Sequence, residues 1–242
     1  MTVVAAVAFV VAVVAALAQA VTGFGSAMLV VPLLTLVVGP QAAVVSATTL
    51  SAIMSAYAMI RHRGQVAWGS MLIVSGTALF GMPVGLLALL WLNERILTGL
   101  IGGVLLVFLV VLMLGVQLPQ RHAVDATAGF LSGTLLTSTG VNGPPLVAAL
   151  QAMRLPPEIF RATLLAALCV QDLAAVGGFG ALGQITPACL VVVTAGLPGL
   201  ALGWLAGDRL FARLPVGRFR RAVLMMLALS ASLAIARAIF PA

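Results

Sequence analysis

One acidic residue lies inside a long apolar stretch of the chain. Asp172, preceded by Gln171, occurs in LLAALCVQDLAAVGG, which holds no other charged residue. A carboxylate surrounded by hydrocarbon is costly, so it usually has a role, either as a proton carrier or as a polar partner within a helix bundle. The sequence leaves these two roles open for Asp172.

Two other stretches interrupt apolar sequence with glycine and hydroxyl residues. They are TGFGS, residues 22–26, and TGVNGPP, residues 139–145. Glycine permits a turn, and a helix that restarts after the turn presents backbone N–H groups and a positive dipole end, which suit an anion. The residues predicted to contact such an anion are Thr22, Gly23, Gly25, Ser26, Thr139, Gly140, Asn142, Gly143, Pro144 and Gln171.

Composition places these residues in a membrane protein. Hydrophobic residues make up 63% of the chain and charged residues 7%, which is outside the range of water-soluble domains. Apolar runs long enough to cross a bilayer recur along the chain with short charged breaks between them. The sequence therefore predicts an all-α polytopic membrane protein.

The net charge of +7 comes from arginines, which lie mostly between the apolar runs. No extended basic domain is present to bind phosphates, so we expect no nucleic-acid partner. The two cysteines, Cys169 and Cys189, have no metal-ligand spacing and are expected to be buried free thiols. We expect no metal ion and no cofactor.

The chain contains an internal repeat. Thr139 and Gly140 lie 117 positions after Thr22 and Gly23, and Pro157 lies 117 positions after Pro40. GMPVG at residue 81 matches GLALG at residue 199 with an offset of 118. We therefore expect one membrane transport domain, residues 1–242, built from repeats 1–117 and 118–242 that join near residues 117–125.

Each half contains one interrupted segment followed by three uninterrupted spans. The predicted segments are 3–38, 42–60, 67–91 and 96–116 in the first half, and 124–150, 160–180, 187–207 and 219–239 in the second. An interrupted segment could be one long bent crossing or a helical hairpin that returns to the same side of the membrane. The two alternatives distribute the arginines differently.

Single crossings would put eight arginines on one face and four on the other, whereas hairpins give ten and two. The hairpin arrangement obeys the positive-inside rule better. Its larger group is Arg61, Arg63, Arg121, Arg154, Arg161, Arg209, Arg213, Arg218, Arg220 and Arg221, opposite Arg95 and Arg237. Three full crossings per half then make the repeats inverted, with both termini outside the cytoplasm.

Inverted repeats with interrupted segments at corresponding positions are typical of secondary transporters, whose site lies near mid-membrane between the repeats. We therefore predict that residues 23–26 and 140–144 meet near the bilayer centre. Glycines 81, 85, 199 and 203 are predicted to lie on packing faces. The cluster SATTLS, residues 46–51, could face the substrate or serve as a close-packing contact.

The combination of QAVTGFGSAMLVVPLL, SGTLLTSTGVNGPPLV, GMPVG and GLPGLALGWLAGDRL resembles the TauE/SafE family of sulfite and organosulfonate permeases over nearly the whole chain. The resemblance implies a multi-pass carrier in the bacterial inner membrane that moves a small sulfur-containing anion, such as sulfite, a sulfonate or a sulfoacetate-like compound. Ser26 and Asn142 replace residues in the family's fuller glycine runs, which bears on the choice of substrate.

We expect coupling to protons through Asp172, with sodium as the alternative coupling ion. An enzyme is not expected, because both histidines are assigned to loops and Asp172 is the only acid deep in a span. An anion channel and a structural membrane subunit remain the alternatives to a carrier. The expected partners are the lipid bilayer, the anion and the coupling ion, and the sequence leaves open whether the chain forms a homo-oligomer.

Overall fold

A computed structural model describes residues 2–22, 26–114, 121–211 and 232. These residues form nine α-helices and one short 3-10 turn, Arg63–Gln65, and they contain no strand. The helices are α1 Thr2–Thr22, α2 Ser26–Val38, α3 Pro40–His62, α4 Trp68–Trp91, α5 Glu94–Leu114, α6 His122–Thr139, α7 Gly143–Ala152, α8 Pro157–Ala181 and α9 Pro187–Phe211. The predicted all-helical fold is confirmed for this part of the chain, and the predicted span 219–239 lies outside it apart from residue 232.

Six of these helices are long and apolar enough to cross a bilayer: α1, α3, α4, α5, α8 and α9. The chain is therefore a multi-pass membrane protein. α2 has 13 residues and α7 has 10. At 1.5 Å per residue they span only about 20 Å and about 15 Å, too little for a full crossing.

The second interruption follows directly from local sequence. Gly140 ends α6 with φ at 74°, a left-handed conformation that glycine adopts without steric cost, and its N–H donates to the Leu136 carbonyl oxygen at 2.9 Å. Residues 141 and 142 are not helical. Pro144 lies in the first turn of α7, where a missing N–H costs no helical hydrogen bond.

Helices α1 and α9 pack closely through glycines. A Cβ added at Gly199, Gly203 or Gly207 would overlap α1 at Phe9, Val13 or Ala20, respectively. Because the contacted residues advance along both helices together, α1 and α9 run parallel. The absent side chains let the two backbones approach, which is how membrane helices gain packing energy without a hydrophobic driving force.

Helices α4 and α6 form a second parallel pair of the same kind. Gly81 and Gly85 of α4 face the backbone at Phe130 and Thr134 of α6, and Gly133 of α6 faces Ala78. Thr134 and Thr137 add hydrogen bonds from their hydroxyls to the carbonyl oxygens of Gly81 and Met82, at 3.0 and 2.8 Å. The prediction that glycines 81, 85, 199 and 203 lie on packing faces is confirmed.

Helices α3 and α8 pack in opposite directions. Ser51, midway along α3, bonds Asp172 in the second half of α8, whereas Gln65, just after α3, bonds Glu158 at the start of α8. The backbone N–H of Ala67 also donates to the Thr163 hydroxyl at 2.9 Å. This antiparallel pair brings the middle of the first half of the chain against the middle of the second.

The glycine contacts predict a specific loss of stability. Gly81→Ala should lower the free energy of unfolding by about 1–3 kcal/mol, because the new methyl group would overlap the Phe130 backbone of α6. Thermal unfolding in detergent measures the effect. Gly76→Ala on the same helix is the matched control, because a Cβ there meets nothing within 4 Å. Equal unfolding temperatures for the two variants would contradict the close packing of α4 on α6.

Candidate functional site

The first residues of α2 and α7 line the same small cavity. Ser26 begins α2, Gly143 begins α7, and the chain between α6 and α7 adds Val141 and Asn142. The remaining residues that line the cavity are Ala27, Met28, Ser51 and Leu168. The cavity therefore joins the two interrupted segments with the middle of α3 and of α8.

Two helix N-termini at one cavity make a favourable place for an anion. The first N–H groups of each helix have no partner within the helix, and the helix dipole adds partial positive charge at that end. Among the described residues, none of those that line the cavity is charged. An anion there would be held by backbone N–H groups and neutral side chains.

Asp172 is buried beside the cavity and holds three hydrogen bonds. The Ser51 hydroxyl donates to Oδ2 at 2.6 Å, the Ser55 hydroxyl donates to the same oxygen at 3.4 Å, and Asn142 Nδ2 donates to Oδ1 at 3.5 Å. Ser51 and Asn142 also line the cavity. Two of the three partners of the carboxyl group therefore face the space between the helix ends.

Gln171 extends the same polar cluster toward α6. Its Oε1 accepts from the Ser132 hydroxyl at 2.8 Å and from Asn142 Nδ2 at 3.3 Å. Ser132 also donates to the Asn142 carbonyl oxygen at 3.2 Å. The Gln171 side chain is fully buried, yet its Nε2 has no hydrogen-bond partner. Nε2 is therefore a hydrogen-bond donor that the described part of the protein leaves unused.

Several predicted site residues come together in the structure. Ser26, Asn142 and Gly143 line the cavity, and Asn142 hydrogen-bonds Gln171 and Asp172. Pro144 is buried in the first turn of α7. These residues form a contiguous set around the two helix ends.

Other predicted site residues lie apart from this set or outside the described chain. Thr139 is buried, but its hydroxyl donates to the Leu135 carbonyl oxygen of its own helix at 2.8 Å. Gly140 contributes the turn that ends α6. Gly23 and Gly25 lie outside the described residues, and Thr22 is described only as the last residue of α1.

Two serines of the cluster, Ser55 and Ser132, were absent from the predicted set, and Ser51 was predicted only as a member of SATTLS, which could face the substrate or serve as a packing contact. Ser51 and Ser55 contact Asp172, and Ser132 contacts Gln171. Ser51 and Ser55 are four residues apart on α3 and so share a helix face, a spacing that the sequence carries. Nothing in the sequence around Ser132 distinguishes it from other hydroxyl residues of membrane helices.

Among the described residues, no group of three His, Cys, Asp or Glu side chains could hold a metal ion. Cys169 and Cys189 are buried free thiols, as predicted. The cluster around Asp172 consists of hydroxyl and amide groups and one carboxyl group.

Comparison with known proteins identifies the family. Residues 8–233 match the model of the family described as sulfite exporter TauE/SafE. No curated protein and no solved structure matches the chain. The family match covers nearly all of the chain and agrees with the resemblance seen in its glycine-interrupted segments, and it associates the molecule with membrane transport of sulfur-containing anions. The chain belongs to the TauE/SafE family of sulfite exporters.

Proposed function

We propose that the chain is a secondary active transporter that moves a small sulfur-containing anion, with sulfite as the first candidate, together with a proton. The observation that carries the proposal is the position of Ser51. Ser51 lines the cavity between the α2 and α7 N-termini, and its hydroxyl hydrogen-bonds the buried Asp172. The proposed anion site and the proposed proton carrier thereby share one residue.

The donors around the cavity fit an oxyanion. Sulfite and sulfonate oxygens accept hydrogen bonds, and the helix N-termini and the Ser26 hydroxyl can donate them. Asp172 would repel an anion while it is ionised, but not after it binds a proton. Binding of the anion and binding of the proton should therefore favour each other.

The cavity is closed to sulfite in the arrangement described. Its volume is about 10 Å³, about enough for one water molecule. Sulfite has four heavy atoms and requires more room. Transport then requires the elements around the cavity to separate, as in alternating access, where one repeat moves against the other around a central site.

Helix directions support a hairpin in the second half. Consecutive membrane-spanning helices such as α3 and α4 run in opposite directions, α6 runs parallel to α4, and α8 runs antiparallel to α3. Accordingly α6 and α8 run the same way. A single crossing through α6 and α7 would make them opposite, so in the proposed arrangement α7 turns back.

The same reasoning applies to the first half. α9 runs parallel to α1 and opposite to α8, whereas α3 is antiparallel to α8. Helices α1 and α3 then run the same way, which requires α2 to turn back. Each half would contain one hairpin and three full crossings, and an odd number of crossings inverts the second repeat relative to the first.

Equivalent residues of the two repeats converge at the site, which further supports a single transport domain made of repeats 1–117 and 118–242. Gly143 lies 117 positions after Ser26, and Leu168 lies 117 positions after Ser51, and all four line the cavity. Asp172 lies 117 positions after Ser55, to which it is hydrogen-bonded. Such pairs are expected to meet only near a pseudo-two-fold axis.

The proposed topology predicts which loops lie on the cytoplasmic side of the bacterial inner membrane. Gly64→Cys, in the loop after α3, should resist an impermeant maleimide in intact spheroplasts, and Glu94→Cys should react. Both native cysteines are buried, so labelling reports the introduced residue. If each interrupted segment crossed the membrane once, Gly64→Cys would react and Glu94→Cys would resist labelling. That result would refute the hairpins. Permeabilised spheroplasts, in which both variants should react, provide the control.

The proposed anion site predicts a steric effect at Gly143. Gly143→Val should abolish sulfite binding while the protein remains monodisperse, because a branched side chain blocks access to the α7 N-terminus. Gly103→Val is the control, since a Cβ there meets nothing within 4 Å. Calorimetric titration with sulfite measures both. Wild-type affinity in Gly143→Val would exclude the cavity as the binding site.

A smaller effect is expected at the start of α2. Ser26→Ala should weaken sulfite binding by about 1–2 kcal/mol, the scale of one hydrogen bond to a charged partner. The same titration measures this loss. An unchanged dissociation constant would mean that the Ser26 hydroxyl does not contact the anion.

Coupling of sulfite transport to protons is tested in proteoliposomes across which a pH gradient is imposed. Wild-type sulfite accumulation should be saturable and follow the gradient, and Asp172→Asn should abolish gradient-driven accumulation while leaving binding and exchange in place. An amide keeps the shape of the protonated carboxyl group, with one donor and one acceptor, but it cannot ionise. Non-saturating flux without coupling would support an anion channel instead, and normal accumulation by Asp172→Asn would leave Asp172 as a packing partner.

A further inference from the structure

We propose that Ser51 is the residue that transmits the protonation state of Asp172 to the anion site, through reversal of one hydrogen bond. This inference rests on the proposed function and adds the residue that links its two ligands. It follows from two observations on the same residue: the Ser51 hydroxyl donates to Asp172 Oδ2 at 2.6 Å, and Ser51 lines the cavity between the helix ends.

With Asp172 ionised, the Ser51 hydroxyl hydrogen is committed to the carboxylate. A carboxylate only accepts hydrogen bonds, so Ser51 must be the donor across the 2.6 Å contact. The oxygen lone pairs of Ser51 are then what it can offer to the cavity. Lone pairs repel an anion, so the site disfavours sulfite in this state.

With Asp172 protonated on Oδ2, the direction of the bond reverses. Two hydrogens cannot occupy one short O···O contact, so the carboxyl group donates and Ser51 accepts. The Ser51 hydrogen turns away and becomes available to an anion in the cavity. One proton is taken up from solution by Asp172 and no covalent bond of Ser51 breaks, so each bound anion is accompanied by one bound proton.

The surroundings of Asp172 support this assignment. Helices α2, α4 and α7 contain no titratable side chain. On α8 itself the neighbouring titratable group is the buried thiol of Cys169. The titratable residues of α3 are Tyr57, Arg61 and His62, all near its end, and Asp125 of α6 lies two turns before Ser132.

Ser55 provides a matched control within the same helix. Its hydroxyl contacts the same Asp172 oxygen at 3.4 Å and also the Ala52 carbonyl oxygen at 3.3 Å. Ser55 is not among the residues that line the cavity. Removal of the Ser55 hydroxyl alters the hydrogen bonding of Asp172 without removing a donor to the anion.

The experiment is titration of purified protein in nanodiscs with sulfite at about pH 6 and about pH 8.5. Ser51→Ala should weaken sulfite binding about tenfold at the lower pH and less than about twofold at the higher pH. The reason is that the Ser51 hydroxyl can donate to the anion only while Asp172 is protonated. A loss of about tenfold corresponds to one hydrogen bond to a charged group. Ser51→Thr, which keeps the hydroxyl, should restore the wild-type profile. Ser55→Ala removes a donor to the carboxylate but none to the anion, so it should not weaken binding at the lower pH.

Asp172→Asn separates the contribution of the protein from the titration of sulfite itself. Its amide N–H permanently donates to Ser51, so this variant should bind sulfite at both pH values as the protonated wild type does. Any pH dependence that remains in Asp172→Asn belongs to sulfite and is subtracted from the other profiles. A larger loss of sulfite affinity at the lower pH in Ser51→Ala is the result expected if Ser51 transmits the protonation state of Asp172.

Two results would overturn the inference while leaving the proposed function intact. Equal weakening of Ser51→Ala at both pH values would make Ser51 a fixed donor. Stronger binding of Ser51→Ala at the higher pH would mean that Ser51 only stabilises the carboxylate, since its removal would then favour the protonated acid. Failure of the wild-type protein to bind sulfite at either pH would refute the proposed function together with the proposed role of Ser51.

Discussion

Hydrocarbon offers no hydrogen-bond partners, and this constraint governs where the helices of the chain can be broken. Residues 140–142 leave the helical conformation between α6 and α7, and α2 begins at Ser26 beside the same cavity. Backbone outside a regular helix is tolerated at membrane depth only where protein surrounds it or where it lines a polar space. The break after α6 satisfies this condition, since Val141 and Asn142 line the cavity together with Ser26 and Ser51.

Close packing supplies the surrounding protein. The parallel pairs α1 with α9 and α4 with α6 are in backbone contact through glycines, with threonine hydroxyls bonding across the second pair. Each pair joins the first helix of one half to a helix of the other half. Helices α1 and α6, which come before the two interruptions, are therefore each held by a helix of the other half of the chain.

Much of the fold is predictable from local sequence, because length, apolarity and glycine placement are local properties. The bounds of α3, α4, α8 and α9 fall close to the predicted spans, and the restarts at Ser26 and near Pro144 fall at the predicted breaks. The role of Asp172 in a polar cluster was also foreseeable, since an acid in an apolar stretch needs partners. The identity of those partners was not, because Ser51, Ser55 and Ser132 belong to other helices and their approach depends on helix direction and rotation.

The two halves of the chain carry different residues at the equivalent positions that meet beside the cavity. Position by position, the first half offers Ser55, Ser51 and Ser26 where the second offers Asp172, Leu168 and Gly143. A symmetric site would carry two acids or none. Two neighbouring carboxylates would repel an anion strongly, and none would leave no proton carrier. In the proposed mechanism, one acid next to a serine from the equivalent position lets an anion and a proton occupy the site together. Because Ser55 and Asp172 lie beside the proposed axis, a movement that exchanges the conformations of the two repeats would preserve their contact, and the proton would remain with the anion while access passes from one side of the membrane to the other.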